Sequence, residues 1–130
     1  MPTFGNVTIG TQVFKPAGRD IATNTASYEE RSGGVPIGYP SMRVRQSKNA
    51  QTRRTRTVVT FPVLQTATAA GADGFTPAAR VSHSSGFTLD FVSSTSSSEA
   101  ERQATLTAII AYVQSDYFAS LVRDQEEITG

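Results

Sequence analysis

The 130-residue chain contains no cysteine and a single histidine. The lack of cysteine excludes disulfides, thiolate nucleophiles and thiolate-ligated metal sites together. His83 alone cannot make a metal site, and it lies in a serine-rich stretch. A Ser-His-Asp set could be written around it, but no nucleophile-elbow sequence accompanies it. His83 is therefore read as a structural residue, and neither catalytic residues, a metal nor a cofactor is expected. Neither the Walker phosphate loop nor the dinucleotide glycine pattern is present, so Gly33-Gly34 and Gly71-Ala72-Asp73-Gly74 read as turns. Long hydrophobic runs are missing as well: the most apolar stretch, near residues 107–113, falls far short of a bilayer span, which needs roughly 20 residues. No membrane partner is expected. Residues 1–10 lack the charged and apolar blocks of a signal peptide, so no export by that route and an intracellular place of synthesis are expected.

What is present suits a folded chain. Hydrophobic residues make up 38% and charged residues 18%, with a mean hydropathy of −0.25, too apolar for disorder. The length fits one domain, residues 1–130. Up to about Ser93, β-branched and aromatic residues alternate with polar ones between Gly and Pro breaks. This predicts strands over residues 7–10, 11–15, 26–30, 39–47, 53–61 and 81–92 in an antiparallel meander. The rhythm then changes. Leu106, Ile109, Ile110 and Val113 recur at helical spacing, and Ser98 with Glu101 forms a capping-box signature, predicting a helix over residues 99–114. Ser115 and Asp116 suit a second N-terminus, and Phe118, Leu121 and Val122 resume the apolar stripe over residues 117–126. A sheet followed by two helices reads as α+β, with the helices covering one face. Two short helices cover a wide sheet poorly, so a second copy of the chain is expected to complete the cover.

No acid occurs between Arg31 and Ala72, yet Arg43, Arg45, Lys48, Arg53, Arg54 and Arg56 fall within 14 positions and hold half of the 12 lysines and arginines. Strand alternation puts Ser41, Arg43 and Arg45 on one face and Met42, Val44 and Gln46 on the other. On the returning strand Arg54, Arg56, Val58 and Thr60 share a face, opposed by Thr55, Thr57, Val59 and Phe61. If Met42, Val44, Val59 and Phe61 define the core side, the arginines of both strands project together. Like charges across paired strands are destabilising by roughly 0.2–1 kcal/mol each, and a polyanion would relieve that repulsion. Arginine forks match phosphate, and neutralising phosphates releases counterions. A solvated basic surface is the plain alternative. From Glu99 to Gly130 six acids face two bases, a net of −4, so the charge is bipolar and nucleic acid is expected on the sheet side only. No helix-turn-helix, zinc finger or basic zipper is present, nor are the aromatic motifs of the common RNA-recognition domain.

Taken in order, Val44-Arg45-Gln46-Ser47, a polar basic turn, the strand from Arg53 to Phe61 ending at Pro62, a glycine-containing loop with Pro77, and Ser97-Ser98-Glu99-Ala100-Glu101-Arg102 before the helices give the chain its likeness. It resembles the coat proteins of the single-stranded RNA bacteriophages, the leviviruses, over nearly its whole length. The resemblance implies an N-terminal β-hairpin, a five-stranded antiparallel sheet and two C-terminal α-helices in an interlocked dimer. It further implies assembly of those homodimers into an icosahedral shell in the virion, with the sheet turned inward to genomic single-stranded RNA and the helices outward. Repression of replicase translation through an RNA stem-loop is a further role in the family.

Carried over position by position, the resemblance places Ser41 and Arg43 at the adenine-pocket positions of the first strand, and Arg45 at the motif's arginine. Arg56 and Val58 take the equivalent positions of the next strand, where Val58 departs from the family's usual polar or basic residue; Arg54 and Thr60 join the expected RNA-binding set by strand alternation. In the last strand either Ser84 or Gly86 stands where the family has a base-stacking tyrosine, an interaction worth about 1–3 kcal/mol where it is made. General packaging of RNA is therefore the primary expectation. Gly71, Ala72, Asp73, Gly74 and Pro77 fall in a segment, residues 65–80, resembling the loop that meets its copies around the shell axes; small residues tolerate the varied backbone shapes such positions need. An ordinary mobile loop is the plain alternative there. The competing function is a dimeric RNA-binding regulator that does not assemble.

Overall fold

The computed structural model describes residues 4–33, 36–65 and 80–128. The chain divides into two compact units, Met1–Val92 and Ser93–Gly130. The first is a six-stranded sheet of β1 (Val7–Ile9), β2 (Gln12–Asp20), β3 (Thr25–Glu29), β4 (Ser41–Lys48), β5 (Thr52–Leu64) and β6 (Val81–Ser94), whose last two residues open the second unit. Spatial order follows chain order, and β1 through β5 pair antiparallel. The expected N-terminal hairpin is β1–β2, and β2 also belongs to the main sheet, so one strand serves both parts.

Register explains the core. Tyr28, Met42 and Val59 stand opposite one another on β3, β4 and β5, and with Phe14 they are the buried apolar residues among those described. Val7, Ile9, Ala26, Val44 and Phe61 pack around them. Alternation on β4 and β5 had assigned Met42, Val44, Val59 and Phe61 to this side, and all four are there. A buried side chain of this size contributes about 1.5–3 kcal/mol. Many apolar residues stay outside the cluster: Phe87 on β6 is 48% exposed, and Val63 and Leu89 are also exposed.

Two sequence expectations need correction. β2 does not stop at residue 15 but runs on to Asp20. The Pro and Gly that read as a break are absorbed by a bulge between Pro16 and Gly18, where the extra residue reverses which side chains face the core. Thus Lys15 stands on the polar face before the bulge and Asp20 after it. The turn to β3 uses Asn24 at φ 49°, a left-handed conformation that asparagine tolerates. The β4–β5 hairpin is closed by Asn49, whose Oδ1 accepts from the Gln51 and Thr52 amides at 2.8 and 2.7 Å, while its own N–H donates to the Thr52 carbonyl at 2.9 Å.

The second unit holds α1 (Glu99–Val113) and α2 (Asp116–Val122). Ser98 caps α1 in a full capping box with Glu101, each bond 3.2 Å, and Glu99 and Glu101 suit the positive end of the helix dipole. Ser115 then caps α2 through the Phe118 amide at 3.3 Å, and Tyr112 meets Phe118 edge-on across the corner at 5.2 Å. The second correction is that α2 ends at Val122, four residues before the expected end at residue 126. Gln125 adopts φ 54° and the Glu126 amide turns back to the Ser120 carbonyl at 3.0 Å, which satisfies a terminal carbonyl and closes the helix. Neither helix has a buried residue; Leu106, Ile110, Val113 and Val122 of the apolar stripe are exposed.

Candidate nucleic-acid interface

The face of the sheet opposite the core gathers the sequence candidates rung by rung. Ser41 pairs with Thr60, Arg43 with Val58, Arg45 with Arg56, and Ser47 with Arg54. Cross-strand partners lie about 4.5–5.5 Å apart at Cβ, so the four arginines form one patch. β3 extends the first three rungs with Glu29, Ser27 and Thr25 opposite Ser41, Arg43 and Arg45. Lys48 and Arg53 also pair, but their parity places them on the other face near the hairpin end. They therefore leave the patch that linear clustering had put them in.

Shallow concavities follow this face. One of about 620 Å³ is lined by Ser27, Arg43, Arg45, Arg56 and Val58 with Asp20 and Thr25. A neighbour of about 370 Å³ shares Ser27, Arg43 and Val58 and adds Ser41 and Thr60. A third, of about 290 Å³ at the hairpin end, includes Arg54 and Val92. Seven of the nine candidate binding residues thus line these three hollows, the first two of which share part of their lining. Ser84 and Gly86 lie on β6, and alternation from Asp90 gives them the same face. Gly86, however, sits hard against β5. A Cβ there would collide with the Val59 carbonyl oxygen and lie 3.1 Å from Thr60 Cα. Close strand approach is its evident role. Gly71, Ala72, Asp73, Gly74 and Pro77 lie outside the described residues.

The expectation that these arginines have no acidic neighbours is not met. Asp90 of β6 reaches between Arg54 Nε at 3.3 Å and Arg56 Nη2 at 3.5 Å. It was missed because the acid-free run was counted along the chain, whereas Asp90 arrives from a strand 34 residues beyond Arg56. The signal was available: Asp90 has the parity of Ser84 and Gly86. Asp20 also lines the large hollow, and hydrogen bonds from Thr23, then from the Ala22 amide, hold its carboxyl below the ordinary carboxylate range. Among the described residues, neither Arg43 nor Arg45 forms an ion pair. His83 Nδ1 lies 3.3 Å from its neighbour Ser82 Oγ, a local contact with no catalytic geometry.

Comparison with known proteins agrees with this architecture. Residues 5–128 match the levivirus coat protein family. Among solved structures, the virus-like particle of bacteriophage ESE058 superposes with a TM-score of 0.85 at 18% identity, covering 98% of this chain and 100% of that one. The virus-like particle of Beihai levi-like virus 21 gives 0.80 at 18%, covering 99% and 100%. The bacteriophage GA protein capsid gives 0.74 at 10%, covering 98% of each. At such identities these likenesses speak to the fold. No curated protein matches the sequence. The family match runs almost from end to end, through both compact units, and the strands and helices are those of its capsid proteins: the chain belongs to the levivirus coat protein family and is a structural protein of the virion capsid.

Proposed function

We propose that this chain forms homodimers that assemble into an icosahedral shell around single-stranded RNA, with the arginine-bearing face of β4 and β5 against the RNA. One observation carries the reading: register stacks Arg43, Arg45, Arg54 and Arg56 on one face while Tyr28, Met42 and Val59 occupy the other. Counterion release from neutralised phosphates would then drive salt-sensitive packaging without sequence preference. The dimer is supported by the exposed apolar side chains of β6 and both helices, an area a second copy would cover. The family match through both units supports one functional coat-protein domain over residues 1–130, made in the cytoplasm of the bacterial host. Hydroxyls of Ser27, Ser41 and Thr60 beside Arg43 favour a second role, recognition of an RNA stem-loop that represses replicase translation.

The test is electron microscopy of recombinant protein with measurement of co-purified nucleic acid. Uniform RNA-filled shells are expected; dimers alone across salt and concentration would favour the non-assembling regulator and reject this reading. Arg43→Ala with Arg45→Ala should lower RNA content and flatten the salt dependence while dimers remain folded. Unchanged RNA affinity at several salt concentrations rejects the assigned face.

A further inference from the structure

The four arginines of the patch are not equivalent. Arg54 and Arg56 share the carboxylate of Asp90: Arg54 Nε lies 3.3 Å from Oδ1 as an ion pair, and Arg56 Nη2 donates to Oδ2 at 3.5 Å. Arg43 and Arg45, one strand away, have no ion pair among the described residues. Asp90 is the most enclosed of the three groups, its side chain 27% exposed against 55% and 54% for the arginines. Arg56 also stands directly opposite Arg45, so the carboxylate sits where the patch is most crowded with positive charge.

Resting on the RNA-facing reading above, we infer that Asp90 sets the discrimination of this surface: it holds Arg54 and Arg56 back from indiscriminate phosphate contact and leaves Arg43 and Arg45 as the principal phosphate-binding pair. The chemistry is direct competition. A phosphate oxygen approaching Arg54 or Arg56 must share or displace guanidinium N–H groups already turned to a carboxylate, and it is repelled by that carboxylate. At Arg43 and Arg45 the guanidinium N–H groups are not turned to a carboxylate: Asp20 lines the same hollow but forms no ion pair with either arginine. Only an RNA that adds contacts elsewhere on the face, to hydroxyls such as Ser41 and Thr60, gains enough to compete at Arg54 and Arg56. Asp90 thus lowers background affinity for arbitrary RNA and acts through the two arginines, as a positioning residue.

The experiment titrates full-length protein with fluorescein-labelled oligouridine over a series of salt concentrations. Asp90→Asn keeps the side-chain shape and removes the charge. It should tighten binding several-fold at low salt and steepen the plot of log affinity against log salt, by about 0.7 for each additional phosphate neutralised on a single strand. Asp90→Glu, which restores the charge, should bring both quantities back toward the parent. A purely structural Asp90 would alter the melting curve without steepening that slope. A second pair of variants bears on the same point should Asp90→Asn fold poorly: Arg54→Gln with Arg56→Gln should lose less affinity for oligouridine than Arg43→Gln with Arg45→Gln. An equal or larger loss from the β5 pair overturns the inference. So does an Asp90→Asn protein with parental affinity and slope, while the Arg43 and Arg45 variants still weaken binding and leave the RNA-facing reading intact. If the β4 pair has no effect either, the RNA-facing reading fails and this inference with it.

Discussion

Gly86→Ala separates two roles for one position, because they predict opposite signs. If Gly86 were simply an open residue of the RNA face, alanine would stabilise the strand, since glycine in a strand interior is disfavoured by roughly 0.5–1 kcal/mol. The structure predicts the reverse. The new Cβ would collide with the Val59 carbonyl oxygen and lie 3.2 Å from the Val59 carbonyl carbon and 3.1 Å from Thr60 Cα. All three are backbone atoms, so no side-chain rotation relieves the contact, and β6 must back away from β5. Overpacking of this kind costs about 1–3 kcal/mol, and each ladder hydrogen bond stretched by the retreat loses up to about 1 kcal/mol net. A loss of about 2–4 kcal/mol is expected, a large share of a typical domain stability of about 5–15 kcal/mol. Guanidinium denaturation at one fixed protein concentration measures it, because assembly shifts apparent stability by mass action. A variant as stable as the parent, or more stable, refutes the close-approach argument.

Asn49→Ala removes the acceptor for the Gln51 and Thr52 amides and should destabilise the β4–β5 hairpin by about 1 kcal/mol; native-state hydrogen exchange at Thr52 unchanged from the parent would contradict this. Asp20 has a depressed folded pKa, held down chiefly by Thr23, so its contribution to stability is fully present above the unfolded carboxylate range and is lost as pH falls through the folded value. The stability difference between the parent and Asp20→Ala should therefore shrink as solutions become strongly acidic; a constant difference down the pH series would remove the charged hydrogen bonds as its cause.

Where the chemistry is local, the sequence is legible. The capping box at Ser98 and Glu101 and the alternation of Met42, Val44, Val59 and Phe61 needed only neighbours a few residues apart, and each is found as read. Errors arose where distant chain segments or compensating geometry decide. Pro16 and Gly18 carry the signature of a break, yet a bulge lets β2 pass through them, since pairing with β3 on both sides outweighs one lost ladder position. The end of α2 was misplaced because Glu126 and Glu127 have good helix propensity, whereas Gln125 in the left-handed region closes the helix sooner. Within the candidate site, parity found the arginine face but not Asp90, because strand pairing brings that acid in from far along the chain.

The two faces of the sheet leave complementary deficits. Among the described residues the apolar side of the sheet buries only Phe14, Tyr28, Met42 and Val59, while Phe87 and Leu89 of β6 stay exposed, an area that the second copy of the proposed dimer would cover. On the polar side the opposition of Arg45 and Arg56 is unfavourable by roughly 0.2–1 kcal/mol, and exposed pairs such as those to Asp90 return about 0–1 kcal/mol each. Repulsion is therefore partly offset around Arg54 and Arg56, where one carboxylate meets two guanidiniums, whereas among the described residues no ion pair offsets it at Arg43 and Arg45. An anion adds most at the β4 pair, which brackets Val44 and begins one residue after Met42 on the same strand. Because Met42 belongs to the same strand, fixing β4 from the polar side also fixes the central row of the core. RNA bound on one face and a second copy packed on the other would then stabilise the same strand, which is a physical basis for packaging and assembly to favour each other.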